Sequence, residues 1–215
     1  MLHPDTELRF ISAELGYGVV ATRLIRRGTI TWVRDGLDQV IAPDRIAELP
    51  DDFRSLLEKY TTRELSGNHI LTWDLGRFVN HACNAKCLDP SGDSRVEIAV
   101  RDIAAGEQLT SDYANVNLWP HESFACHCGA HECRKRVTPD DAMRESPHWR
   151  ELLLEAAGHS NRVSQPLLWA VREMMAAPGI MGQAWRVLDF RGYLQSLVET
   201  RKPAAAAAAF RAALG

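Results

Sequence analysis

The 215-residue chain contains no apolar run near the ~20 residues needed to cross a bilayer, and nothing near Met1 resembles a secretion signal. It therefore reads as an intracellular, cytoplasmic protein with no membrane partner; delivery into a host cell is the one other destination left open. A basic excess is also missing. The net charge of −3 argues against direct nucleic-acid binding. Lysine is scarce, occurring only at Lys59, Lys86, Lys135 and Lys202, while arginine and alanine are abundant. That bias points to a GC-rich, bacterial genome. Cysteine is limited to five residues. In a reducing compartment they are thiols or metal ligands before they are disulfides. No internal repeat is visible.

The remainder is ordinary for a globular protein: 46% hydrophobic and 25% charged residues, enough for one domain with a helical appendage. Strand-forming stretches open the chain at Leu8–Ile11, Gly18–Ala21 and Thr29–Val33. Pro43–Tyr60 has helical spacing, with Asp44 or Asp51 as caps and Ile46, Leu49, Phe53, Leu56 and Leu57 as core. Ile70–Val79 reads as extended. Arg95–Arg101 alternates polar and apolar residues, the mark of a half-buried strand, and Gln108–Tyr113 is a further short strand. From Thr138 onward the pattern turns helical: a start with Pro139 at the first helical position, then helices over Trp149–Ala157, Pro166–Ala177 and Ile180–Thr200, and an alanine-rich end over 204–209.

Four short pieces stand out. Arg77-Phe78-Val79-Asn80-His81-Ala82-Cys83 is one for which packing gives no reason. Gly106–Tyr113 is the second. Gly16-Tyr17-Gly18 is the third; alone it is a hairpin turn, and glycine there also permits a close backbone approach. The fourth, Cys126-His127-Cys128-Gly129-Ala130-His131-Glu132-Cys133, brings three thiols into one tight loop. A closed zinc site needs four ligands, and the fourth is Cys83, Cys87, His127 or His131. Buried thiols or a disulfide are the plainer readings of the same cysteines. The spacing matches neither common ferredoxin pattern.

Taken together, the four pieces resemble the SET-domain protein-lysine methyltransferases with a post-SET zinc segment, over residues 6 to 137. The resemblance implies an α+β fold, small β-sheets around a pseudoknot. It divides the chain into a SET domain at 6–115, a zinc segment at 122–138 and a helical C-terminal extension at 139–215. It implies S-adenosylmethionine as cofactor, with Gly16, Tyr17 and Gly18 along its methionine end. Asn80 and His81 would contact the adenosine portion largely through backbone groups, supported by Arg77 and Phe78. Tyr113 matches the catalytic tyrosine. The family's fourth zinc ligand is the cysteine of Asn-His-x-Cys, so the metal set becomes Cys83, Cys126, Cys128 and Cys133, with a structural zinc. The partner implied is a lysine-containing protein or peptide. Its amine, stripped of water in a narrow channel, loses its charge and attacks the methyl group. No acid–base pair is required and none is assigned; Asp112 and Glu107 read as turn or sheet hydrogen-bonding groups.

The sequence also departs from the family. Ser111 stands where Phe or Tyr is usual, two before the tyrosine, implying a wider or wetter channel and di- or trimethylation. Trp32 takes the place of a channel tyrosine, and Lys86 of an asparagine. These changes leave a catalytically silent module that binds peptide or cofactor as the alternative. A zinc-stabilised nucleic-acid module would need a basic face, and the dense basic run is Arg134-Lys135-Arg136, read as solvated surface.

Overall fold

The computed structural model describes residues 1–116, 118, 122–176 and 190–201. The alanine-rich end, and the part of the expected Ile180–Thr200 helix before residue 190, with Trp185 and Leu188, lie outside the described residues.

Two strands, β1 (Thr6–Ser12) and β2 (Gly16–Ala21), form an antiparallel hairpin. Gly16 holds φ +74° at its turn, a conformation glycine adopts without strain. Next come β3 (Ile30–Val33) and β4 (Gln39–Ile41), then two short helices, α1 (Pro43–Ala47) and α2 (Asp51–Tyr60). The helical stretch expected over Pro43–Tyr60 is broken at Pro50, which lacks the N–H to continue a helix. Neither aspartate caps: Asp44 and Asp51 sit inside the first turns. Nor is this region core. Ile46 is buried, but Phe53 and Leu56 are mostly exposed and α2 buries no residue. Helical spacing describes an apolar face without supplying anything to cover it.

A small antiparallel sheet, β4-β6-β5, follows, from β5 (Thr61–Arg63) and β6 (His69–Leu71), turning at Gly67 with φ +90°. The segment expected to run extended to Val79 instead tightens into a 3₁₀ turn at Leu75–Phe78, capped by Asp74 Oδ1 accepting from Gly76 N at 2.8 Å. The central sheet has order β3-β9-β8-β10-β7, with β7 (Asn80–His81), β8 (Cys87–Leu88), β9 (Val96–Ala99) and β10 (Thr110–Ser111). β10 enters parallel between β7 and β8, which precede it by more than twenty residues. This crossover places one late strand between two earlier ones. It sets Thr110 beside Asn80 and Ser111 beside His81.

A two-stranded ribbon, β11 (Phe124–Ala125) with β12 (Arg136–Val137), carries the cysteine loop. Helices α3 (Asp141–Arg144), α4 (Ser146–His159), α5 (Leu168–Ala176) and α6 (Phe190–Thr200) close the described chain. The α3 helix begins at Asp141, whose Oδ2 accepts from Thr138 N at 2.8 Å, so Pro139 lies before it. These helices share one apolar core with the central sheet: Leu153, Val171 and Leu194 pack with Ile30, Leu88 and Ile98. Gln165 fastens them, accepting from Ile30 N at 2.9 Å and donating to Gly28 O at 2.7 Å.

Candidate functional site

The Gly16–Gly18 hairpin, the end of the 3₁₀ turn, β7, and the chain just past β10 converge on one cleft of about 660 Å³. Gly16, Tyr17, Trp32, Arg77, Phe78, Asn80, Ser111 and Tyr113 all line it. Gly18 sits just behind this wall for a steric reason. A Cβ there would lie 2.5 Å from Gln108 Oε1, 2.7 Å from Asn80 Nδ2 and 2.9 Å from Ile11 Cγ1. The space is occupied by a hydrogen-bonded pair: Asn80 Nδ2 donates to Gln108 Oε1 at 3.1 Å and to Tyr17 O at 3.2 Å. Three of the sequence pieces are thereby tied by one amide group. Gln108 was not singled out from sequence; as an ordinary polar residue in a strand, it gave no signal.

Arg77 and Phe78 support rather than react. The Arg77 guanidinium donates to the carbonyls of Thr72, Trp73 and Asp74 at 3.0–3.1 Å and lies 5.1 Å from the Phe78 ring centre. That gathers the loop carbonyls around one charge, a role a point-charge lysine fills less well.

Tyr113 donates its hydroxyl to Val79 O at 2.9 Å. With the proton committed there, the oxygen lone pairs remain for a positive centre in the cleft. Burial, and then the nearby Glu97 carboxylate, push the phenol up to about 12, so it is un-ionised at neutral pH. The His81 ring turns away from the cleft. Its Nδ1 accepts from Tyr113 N at 3.2 Å and its Nε2 lies 3.5 Å from Cys83 Sγ. Burial, and then the Arg134 charge, bring it down to about 4, so it is neutral. His81 thus joins the tyrosine backbone to the cysteine cluster. Phe124, on β11, meets the His81 ring edge-on at 5.2 Å and Tyr113 at 5.9 Å, closing an aromatic trio.

Cys83, Cys126, Cys128 and Cys133 come together with all four sulfurs within 4.8 Å of one another. Cys83 and Cys126 are 3.7 Å apart. A zinc tetrahedron with Zn–S bonds of ~2.3 Å has edges of about 3.8 Å, so the donor set fits such an ion. Backbone N–H groups also aim at the sulfurs: Arg134 N at Cys83, Lys135 N at Cys133 (both 3.4 Å) and Cys83 N at Cys128 (3.5 Å). Donors pointed at sulfur suit thiolates. Cys87, by contrast, is fully buried on β8, where burial raises its thiol.

Arg134 corrects the expectation of a solvated basic run. Its side chain is 13% exposed and pairs with Asp112 Oδ1 at 2.7 Å. Asp112 is buried, and burial outweighs Arg134 in lifting it to about 6. The pair bolts the chain beside Tyr113 to the cysteine loop. Glu107 is the turn residue expected, accepting from Ala104 N at 2.8 Å.

Residues 16–114 match the family model described as "SET domain". These residues form a SET domain. Similar proteins include histone-lysine N-methyltransferase ASHH2 of Arabidopsis thaliana, 30% identical over 143 residues, 61% of this chain and 8% of that one. A histone-lysine N-methyltransferase, H3 lysine-36 specific, of Candida albicans is 30% identical over 171 residues, 73% of this chain and 20% of that one. The chain therefore spans a fifth or less of these relatives' length. No helix among the described residues is long and apolar enough to cross a membrane.

Proposed function

We propose that this chain is an S-adenosylmethionine-dependent protein-lysine N-methyltransferase whose zinc segment is structural. The carrying observation is the convergence of Gly16–Gly18, Asn80 and Tyr113 on one cleft, with a four-cysteine cluster directly behind it. The named relatives are histone-lysine methyltransferases, which makes a histone the first substrate to try.

In this reading S-adenosylmethionine supplies an activated methyl group on a sulfonium. The cleft fits such a ligand: it is of ligand-pocket size, and the missing Cβ at Gly18 lets the Asn80–Gln108 pair form its wall. Tyr17 and Asn80 hold the methyl donor from the hairpin and β7 sides. Tyr113 offers oxygen lone pairs to the positive charge of the transition state, held in place by Val79 O and by His81. Trp32 and Phe124 make the substrate's side of the cleft apolar, which favours the neutral amine. Ser111 leaves room for more than one methyl group, and di- or trimethylated product is expected. Zinc held by Cys83, Cys126, Cys128 and Cys133 would fix β11 and Phe124 over the site without touching the chemistry. Reduced thiolates in that role call for an intracellular place of action, and the arginine-over-lysine bias still favours a GC-rich bacterial source, although the relatives named above are from a plant and a yeast.

The test is calorimetric titration of zinc-loaded protein with S-adenosylmethionine, with Asn80→Ala beside it, followed by methyl transfer to histone H3 with Tyr113→Phe. Binding weakened at least tenfold by Asn80→Ala, and transfer abolished by Tyr113→Phe with binding intact, are expected. Binding without transfer to any lysine peptide would favour the silent-module reading.

A further inference from the structure

Nothing in the local sequence distinguishes Glu97. In an alternating strand it reads as the polar, solvent-facing residue between Val96 and Ile98. The structure turns that face inward. On β9, Glu97 pairs across from Trp32 and lines the same cleft as Tyr113. Ser111 Oγ donates to Glu97 Oε1 at 2.6 Å. Among the described residues no cationic side chain forms an ion pair with Glu97, and Ser111 is the side chain that donates to it. Such a carboxylate is costly to keep: removal from water disfavours its charge. The Trp32 indole beside it is 6% exposed, and its Nε1 has no hydrogen-bond partner. A carboxylate held by one hydroxyl and set in the wall of a cleft marks where a polar part of a ligand belongs.

Resting on the methyltransferase reading, we propose that Glu97, positioned by Ser111, accepts the proton of the substrate's lysine ammonium inside the cleft. The balance is simple. The Nζ–H bond breaks and a Glu97 O–H bond forms, leaving a neutral amine and a neutral acid. The Nζ lone pair then attacks the methyl carbon, and the carbon–sulfur bond breaks with its electrons staying on sulfur. The products are the methylated ammonium and S-adenosylhomocysteine. Glu97 returns its proton to solvent after product leaves.

The cost of the exchange is reduced because both partners are displaced toward neutrality. Burial, opposed by the Ser111 hydrogen bond and assisted by the Asp89 charge, raises Glu97 to about 7. A lysine entering the same dry wall is lowered from its usual ~10.4. Two neutral groups cost less to hold there than an unshielded ion pair. The titratable groups facing Glu97 are Asp89, Tyr113 and the Cys87 thiol on β8; burial raises the thiol, and Tyr113 stays un-ionised up to about 12. Ser111, in place of a large aromatic, thereby gains a second consequence: its hydroxyl aims the carboxylate.

The test compares wild type with Glu97→Gln, which keeps the size and can still accept from Ser111. Single-turnover methyl transfer to histone H3 is followed from pH 6 to 10, with S-adenosylmethionine affinity measured alongside. Glu97→Gln is expected to bind the methyl donor like wild type and to react about 100-fold slower at pH 7, within the range of general-base contributions. The gap should close as the pH nears the lysine's own range. A second readout needs no turnover. Carbon-13 NMR of labelled glutamate carboxyls should show one group titrating near pH 7, absent in Glu97→Gln, that becomes protonated when lysine peptide is added. A Glu97→Gln rate within twofold of wild type at pH 7, or a carboxylate that stays ionised with peptide bound, overturns the inference. Wild type that neither binds S-adenosylmethionine nor transfers methyl overturns the methyltransferase reading itself, and this inference with it.

Discussion

Gly18→Ala isolates the close approach on which the cleft wall depends. The added methyl would sit 2.5 Å from Gln108 Oε1, 2.7 Å from Asn80 Nδ2 and 2.9 Å from Ile11 Cγ1, where ordinary contact begins at 3.4 Å. Two of these atoms are hydrogen-bonded to each other, so they must separate or move together. Either way the Asn80–Tyr17 bond at 3.2 Å is strained as well. Forcing a methyl into packed surroundings costs about 1–3 kcal/mol. If that strain is relieved by displacing Asn80, the loss appears in ligand affinity as a factor of roughly 5–150. Calorimetry with S-adenosylmethionine reads it directly, and thermal unfolding separates binding from stability. Gly106→Ala is the control. Unlike Gly18, Gly106 has a positive φ, +86°, and a Cβ there meets nothing within 4 Å. It should lose about 1–2 kcal/mol of stability from backbone strain and leave affinity unchanged. Equal affinity in Gly18→Ala and wild type, in a folded protein, would refute the reasoning.

Atomic absorption should find one zinc per chain, lost in Cys83→Ser or Cys126→Ser and kept in Cys87→Ser, because Cys87 is buried on β8 away from the four clustered sulfurs; a chelator should lower the melting temperature of wild type but not of the two depleted variants. Arg134→Met leaves Asp112 buried without its cation and removes the side-chain Nε–H aimed at Cys83 Sγ, so denaturant unfolding should show a loss of about 3–5 kcal/mol, largely recovered when Asp112→Asn is added. His69 is buried beside the Arg63 guanidinium, and burial first, then Arg63, lower it from 6.5 to about 4. Its folded value is thus below its unfolded one, so its contribution is present above pH 6.5 and is lost as pH falls toward 4. His69→Gln should flatten that limb of the stability curve.

The structure also redistributes roles that the sequence had treated as separate. His81 serves the tyrosine backbone and the cysteine cluster rather than the cleft surface. The Asp112–Arg134 pair makes the cysteine loop and the end of β10 one mechanical unit. Loosening the four-cysteine cluster is therefore expected to disturb Tyr113 through these two contacts.

What the sequence determined by itself was local and chemical. Glycine spacing, the Asn-His-x-Cys piece, and three cysteines around Gly129 each carry meaning within a few residues, because turn geometry and ligand reach act over that range. The early strands and the helices of the second half were legible for the same reason: periodicity is a local property. The tertiary structure alone decided which face of a strand meets solvent. Glu97 and Arg134 looked like surface charge, and Phe53 and Leu56 looked like core; all four were misread because periodicity fixes which residues share a face but not what lies opposite it. The Asn80–Gln108 pair, the inward Glu97 and the buried Arg134 all depend on β10 entering between two earlier strands, a contact between distant segments that no short window of sequence records.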